Sequence, residues 1–493
     1  MPIFDHRLFS IPVISDLTHR HVERRIWYRC SAFEISGKDA IPMSGEIEEG
    51  HSIIKELMSH LIRVSLIFVS LPSFGHAEDT LLKLLEGTSV TPAVSGLQIS
   101  TIKGGEEFEN LAFGIAQSTG QGPVPLGVGH KIRVASVSKI AVAIATLMLL
   151  EEQKFSLDED VSALLGWKLR NPNFPKTPIT VRSLLSHTSS VRDGARYFIE
   201  AGKGQIRDFF YPGAELWDQG AHWGSEPKEE PGKYFSYANL NFGLLAAIIE
   251  RASNQRFDLF LANRLFEPLA LEADFNPCNL SRSQLATTYR KRNASGHWNV
   301  DGLWQPQVDG EKISCFYGML ERSDGAKFLE NYELGSNATL FSPQGGLRAS
   351  ASDLSSILRL LANEGALNGR KILKRSSVET LLSPAWSLNA AGNNGRTSGE
   401  AQPGGARDGL MTSYGLSIHR IDMRAWGFVD GPATLLGHLG RAYGVFSFAL
   451  YDPDSRDGIA MIVTGVADDP FKAPGHSPLT RLEETVLHWW INR

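Results

Sequence analysis

Ser136-Val-Ser-Lys139 sets a hydroxyl and an amine three residues apart, a spacing that places both on one face of a helix. The amine can then sit against the hydroxyl. The residues that follow, from Ile140 to Leu150, are almost all apolar, and burial in such a body disfavours the charged ammonium, which makes lysine a usable base. A serine at a helix start also has free backbone N–H groups and the positive dipole end beside it, suited to an oxyanion. By itself the spacing says little, because Ser52-Lys55, Ser100-Lys103 and Ser225-Lys228 share it. Ser100 lies in a strand pattern, where residues three apart point to opposite faces, and Ser225 lies in a Pro/Glu-rich loop. Ser52 precedes a leader-like segment.

Two further spacings carry polar groups that a site could use. Tyr237-Ala-Asn239 is the single Tyr-x-Asn of the chain and stands just before an apolar helical stretch from Leu240 to Arg251, on a loop that could face a cleft. Taken alone, it reads equally well as a half-buried tyrosine with a helix-capping asparagine. His438-Leu-Gly440 precedes an apolar strand, and the other His-x-Gly is His222-Trp-Gly224. A lone histidine on a strand edge is more often structural than functional.

The elements that must position these residues alternate in type along the chain. Gly96 to Lys103 and Glu106 to Ala116 read as strands of a hairpin joined by Gly104-Gly105. Ser138 to Lys154 reads as a helix buried on all sides. The span 166–339 has helical patches separated by Pro-, Gly- and Asn-rich turns, with a polar loop expected from Thr287 to Gly310. A helix from Ala351 to Glu364 is expected to be capped by Ser352 or Asp353. Asn389 to Gly409 reads as a mobile Gly/Asn-rich loop. Strands Val445 to Asp452 and Gly458 to Thr464 come next, and then a helix from Leu479 to Ile491. Strands near both ends with helices between them imply one sheet assembled from both ends, with a helical insert.

The ordered set of a Ser-x-x-Lys, a Tyr-x-Asn and a (Lys/His)-x-Gly resembles the penicillin-recognising serine hydrolases, in particular class C β-lactamases, DD-carboxypeptidases and β-lactamase-like esterases. Leu184-Leu-Ser-His-Thr-Ser189, Phe235-Ser-Tyr-Ala-Asn-Leu-Asn-Phe-Gly243 and Gly345-Gly-Leu-Arg-Ala-Ser-Ala-Ser-Asp-Leu354 are similar to phrases of that family, and the likeness runs from about residue 90 onward. The resemblance implies an α/β (α+β) fold, an antiparallel sheet flanked by helices with an inserted all-helical domain and the site at their junction. It implies Ser136 as acylated nucleophile, Lys139 as base or proton relay and Tyr237 as partner in proton transfer. Asn239 would hydrogen-bond the substrate amide or Lys139, and His438 and Gly440 would line the strand against which substrate lies. The N–H groups of Ser136 and Arg441 would form the oxyanion hole. Arg441 departs from the small residue usual there; its side chain would bind a substrate carboxylate or point to solvent. His438 stands where β-lactamases usually carry lysine, which favours the peptidase and esterase branches.

The resulting expectation is a serine hydrolase acting on an amide or ester, with a peptidoglycan stem peptide or a β-lactam among the possible substrates. Its rivals are a class C-type β-lactamase and a penicillin-binding sensor that acylates without turnover. No metal or organic cofactor is expected. With Lys+Arg 49 against Asp+Glu 54 and no basic cluster, nucleic acid is not the expected partner. No apolar run reaches the roughly 20 residues of a spanning helix. From Met58, a short segment with Arg63, the apolar run Val64 to Leu71 and small residues at Gly75 and Ala77 reads as a signal peptide over 58–77. That makes 1–57 an upstream extension and implies a periplasmic or secreted product. The length of 493 residues alone corresponds to about three domains. With 1–77 set aside, the expected domains are a sheet domain, 78–165 with 340–493, and a helical domain, 166–339. Of the three cysteines, Cys278 and Cys315 could pair or remain as two buried thiols.

Overall fold

The structure, a computed structural model, describes residues 74–89, 91–292, 299, 301–315, 322–400, 407–466 and 477–493. The stretch 1–57, Cys30 and most of the expected signal peptide lie outside the described residues, as do residues 401–406 of the expected loop. Helix α1 (Phe74–Glu86) spans the point at which cleavage after Ala77 is expected.

Among the described residues, nine strands form one antiparallel sheet: β1 (Gly96–Lys103), β2 (Glu106–Thr119), β3 (Gly122–Pro125), β4 (Trp386–Ser387), β5 (Ser413–Tyr414), β6 (His419–Asp422), β7 (Thr434–Ala442), β8 (Val445–Tyr451) and β9 (Gly458–Thr464). Their spatial order is β4-β5-β6-β7-β8-β9-β1-β2-β3. The early hairpin closes on the last strand, with Leu97 opposite Val463 and Ile99 opposite Met461. This is the sheet built from both ends that the sequence implies. Gly104 and Gly105, at φ +58° and +88°, supply the left-handed turn between β1 and β2.

Strands β8 and β9 are buried along their whole length, so their side chains alternate between two cores rather than between core and water. Phe446, Phe448 and Leu450, with Leu97, Ile99, Met461 and Val463, pack beneath α1 and the last helix, α5 (Arg481–Ile491). Val445, Ala449, Tyr451, Ala460 and Ile462 face the opposite core. That core holds α2 (Ser138–Glu151), α3 (Leu240–Ser253) and α4 (Ala351–Ala362). Helix α2 is buried from Ser138 to Leu149, as its all-round apolar pattern predicts, and packs on α3 and against β7.

Two local expectations are corrected. Helix α4 is capped by Ser350, which shares a capping box with Asp353. Ser352 instead lies within the helix, because the box needs the serine three residues before the carboxylate. The expected polar loop at 287–310 contains a hairpin, Thr288–Arg292 against Leu303–Val308. Its charged residues hide two anchors: Tyr289 is buried at 4% exposure, and the indole of the exposed Trp304 donates to the Gly465 carbonyl. Cys278 and Cys315 are joined in a disulfide.

The two-core sheet gives a stability prediction. Phe448 is fully buried on the α1/α5 face. Phe448→Ala is expected to destabilise by about 3–5 kcal/mol, read as a lowered denaturant midpoint with unchanged m-value.

Candidate active site

Ser136 lies in a single turn, Ala135–Val137, that leads directly into α2. The preceding residue, Ala135, has φ +49°, a left-handed conformation that costs a non-glycine residue of order 1–3 kcal/mol. Neighbouring bonds hold it there. Ser138 Oγ donates to the Ala135 carbonyl at 2.6 Å and accepts from Leu347 N at 3.1 Å. Val134 N donates to the Leu347 carbonyl, and Ser447 Oγ donates to the Val134 carbonyl at 2.7 Å. The turn is thus stitched to the segment before α4 and to β8.

Lys139, one helical turn on, is fully buried, and its three amine hydrogens each have an acceptor. These are Ser136 Oγ at 3.0 Å, Asn239 Oδ1 at 2.9 Å and the Gln344 carbonyl at 2.7 Å. Burial pulls its pKa down to about 7, with the charges of Glu400 and Asp193 acting upward. A hydroxyl held against an amine that is partly neutral at neutral pH has the geometry that a nucleophile and its base require.

Tyr237 and Asn239 come from the segment that enters α3. Asn239 stands at the helix N-cap but makes no capping bond; Asp193 Oδ1 caps instead, accepting from Leu240 N at 2.9 Å. The Asn239 side chain is thereby free to face Lys139. The Tyr237 ring centroid lies 4.9 Å from Lys139 Nζ. Burial raises the phenol well above its usual pKa, the charges of Tyr414 and Glu400 add to this, and its hydrogen bond with Ser136 opposes.

Strand β7 passes beside Ser136. A Cβ on Gly440 would lie 2.8 Å from the Val134 carbonyl oxygen and 3.0 Å from Ser136 N, so only glycine allows this approach. The pairing of β6 with β7 stops at Gly437, whereas β7 continues to Ala442 alongside β8. Residues 438–442 therefore have one strand neighbour among the described residues. His438 is completely buried; its Nδ1 donates to the Leu439 carbonyl, so its Nε2 accepts from Tyr414 OH at 3.0 Å. Burial, with the charges of His419 and Lys139, holds it well below the usual imidazole pKa and hence neutral. Arg441 takes the other face, with its guanidinium 4.9 Å from the Phe446 ring centroid.

The structure therefore gathers Ser136, Lys139, Tyr237, Asn239, His438 and Gly440, and turns only the Arg441 side chain away. Sequence reasoning missed Gln344, whose carbonyl adjoins the quoted Gly345-Gly346. It also missed Asp193, Glu400 and the aromatic backing of His187 and Tyr414. His187, which lies within the family-like phrase at 184–189, stacks on Tyr237 at 4.2 Å. Nothing in the spacing marks Asp193 or Glu400.

The antiparallel sheet, the helical layer and this Ser-Lys-Tyr cluster between them define the architecture of a β-lactamase/transpeptidase-like protein. The beta-lactamase family matches residues 81–476, and the chain belongs to that family. Protein flp of Staphylococcus aureus (strain N315) is 25% identical over 189 residues, 38% of this chain and 36% of that protein. Penicillin-binding protein 4* of Bacillus subtilis (strain 168) is 27% identical over 172 residues, 34% of this chain and 35% of that protein. The chain thus spans about a third of the length of these relatives. Among solved structures, the octameric penicillin-binding protein homologue from Pyrococcus abyssi is similar at TM-score 0.57 and 19% identity, covering 85% of this chain and 78% of that one. D-amino acid amidase from Ochrobactrum anthropi SV3 is similar at TM-score 0.54 and 20% identity, covering 85% and 97%. At these identities the likeness is one of fold.

The close approach of β7 is testable. Gly440→Ala is expected to slow acylation of Ser136 by an electrophilic serine probe on the order of 10²-fold, while circular dichroism shows an intact fold.

Proposed function

We propose that this chain is a serine hydrolase that works through an acyl-enzyme on an amide or ester, in the manner of DD-peptidases and β-lactamase-like esterases. The observation that carries this reading is the buried Lys139 amine bonded at once to Ser136 Oγ, Asn239 Oδ1 and the Gln344 carbonyl. Neutral Lys139 takes the hydroxyl proton as Ser136 Oγ attacks the carbonyl carbon. The N–H groups of Ser136 and Arg441 stabilise the oxyanion. As the tetrahedral adduct collapses, the proton passes through Lys139 and Tyr237 to the leaving nitrogen or oxygen. Water then attacks the acyl-enzyme by the reverse relay and releases Ser136. An extended substrate lies along residues 438–442 of β7, beyond the end of its pairing with β6, and Asn239 Oδ1 accepts from its amide N–H. His438 backs Tyr237, their ring centroids being 6.3 Å apart.

A β-lactamase needs a cation at the strand to hold the drug carboxylate. The buried, neutral His438 and the averted Arg441 supply none there, which ranks that reading second. A sensor that acylates without turnover ranks third. The sheet and helical portions, 78–165 with 340–493 and 166–339, act as the two domains meeting at the site. Export behind a leader at 58–77 fits the Cys278–Cys315 disulfide, a bond that persists in oxidising compartments.

The purified protein is to be assayed with p-nitrophenyl esters, a D-amino acid amide, a chromogenic cephalosporin and a fluorescent penicillin. Ester or amide turnover is expected, with Ser136→Ala lowering kcat/KM by at least about 10³-fold. Because Lys139 acts when neutral and titrates at about 7, kcat/KM is expected to rise with pH through a limb near that value. Turnover that survives Ser136→Ala sinks the reading. Fast cephalosporin hydrolysis would favour the lactamase, and stable labelling without turnover the sensor.

A further inference from the structure

The Asn239 amide is held from two sides by carboxylates that the mechanism above does not use. Its Nδ2 donates to Asp193 Oδ2 at 3.0 Å and to Glu400 Oε1 at 2.5 Å, while its Oδ1 accepts from Lys139 Nζ at 2.9 Å. An amide nitrogen has two hydrogens, so one goes to each carboxylate. The opposite orientation of the amide would set NH₂ against the lysine amine and the carbonyl oxygen against two carboxylates, making all three contacts repulsive.

The two carboxylates reach Asn239 by different routes. Asp193 is half-buried and locked in place by its bond from Leu240 N. Glu400 is exposed and comes from the loop that follows β4, and that loop is fastened to the Tyr237 segment. Phe235 N donates to the Asn394 carbonyl at 3.0 Å, and Arg396 N donates to the Phe235 carbonyl at 2.9 Å. Trp386 stacks on Phe235 at 4.3 Å, and its indole donates to the same Asn394 carbonyl. Residues 389–400 of the expected mobile loop are therefore pinned two residues from Tyr237. Their last residue, Glu400, reaches Asn239.

We propose that Glu400 is a positioning residue for the candidate site: with Asp193 it fixes the Asn239 amide so that its oxygen faces Lys139, and it brings a carboxylate near that lysine from an exposed loop. This rests on the reading of Lys139 as the base. Glu400 makes no contact with Ser136 and acts through Asn239 and through its charge. The groups around Lys139 are Ser136 from its own turn, Tyr237 from the α3 entry, Asp193, Glu400 and the buried histidines His187, His419 and His438. Burial holds all three imidazoles below their usual pKa, with the Lys139 charge acting the same way. The two carboxylates act in the opposite direction, keeping Lys139 from falling further.

Two substitutions separate the bond from the charge. Glu400→Gln keeps an oxygen to accept from Asn239 but removes the negative charge. Its kcat on the plateau is expected to stay near that of the parent, while the ascending limb of kcat/KM moves down by about one pH unit, since a carboxylate that raised the lysine pKa has gone. Glu400→Ala removes both and is expected to lower kcat about 10-fold with KM little changed, because Asn239 is no longer held. Glutamine at 400 thus rescues kcat but not the limb, a split that a merely structural role would not produce. An unmoved limb in Glu400→Gln, or an unchanged kcat in Glu400→Ala, overturns the proposal. Lys139→Met tests the underlying reading separately. If the limb survives that substitution, the assignment of Lys139 fails whatever Glu400 does.

Discussion

The molecule turns on a lysine that must be taken out of water without being left unsatisfied. An amine in an apolar interior loses its charge readily, but an amine with unpaired hydrogens there is costly. Lys139 meets both demands by pairing with uncharged oxygens only, a hydroxyl, an amide and a backbone carbonyl, each of which accepts a hydrogen from the ammonium form. A carboxylate in direct contact would favour the ammonium form. Keeping the carboxylates of Asp193 and Glu400 one residue away, behind Asn239, leaves the amine near the midpoint of its titration at neutral pH.

This requirement explains why so much of the fold converges on one turn. The three acceptors come from the turn before α2, the entry to α3 and the segment before α4, elements far apart in sequence. Helix α2 can hold Lys139 against Ser136 of the preceding turn only if its body is buried, which the sheet on one side and α3 on the other provide. The left-handed Ala135 aims the serine, and bonds from Ser138, Leu347 and Ser447 oppose the relaxation of that strain. Gly440 then lets β7 approach the serine amide without a Cβ in the way.

What could be read from the chain beforehand follows the range of each interaction. The Ser136–Lys139 pair was legible because helix periodicity alone brings residues three apart together, and the apolar run after it announced the burial that alters the amine. The sheet was legible in β8 and β9, whose unbroken apolar character requires cover on both faces. The hairpin at 288–308 was not, because its anchors Tyr289 and Trp304 sit among arginines, lysine and glutamines that mimic a solvated loop. Asp193 was hidden for a related reason. An aspartate that caps a helix more than 40 residues away leaves no local pattern, and the asparagine at the cap position, Asn239, looked like the capping residue itself. Gln344 acts through its carbonyl, which any residue type would supply.

The layer behind Tyr237 follows from the same electrostatics. His187, His419 and His438 are buried close to Tyr237 and Tyr414, with His419 against His438 at 4.4 Å. Both ring nitrogens of His419 and Nε2 of His187 have no hydrogen-bond partner among the described residues, a penalty these imidazoles incur. Protonating any of them would place a second buried cation near Lys139, and burial already holds His419 down at about 3. Because these rings stay uncharged through the range in which Lys139 titrates, they add aromatic bulk behind Tyr237 without competing for the site's positive charge. Burial lowers the pKa of Lys139, and the two carboxylates that flank Asn239, one fixed in the fold and one carried on a loop, act against it. In this arrangement two carboxylates, Asp193 and Glu400, lie at the front of the candidate site, and neutral histidines shape its back.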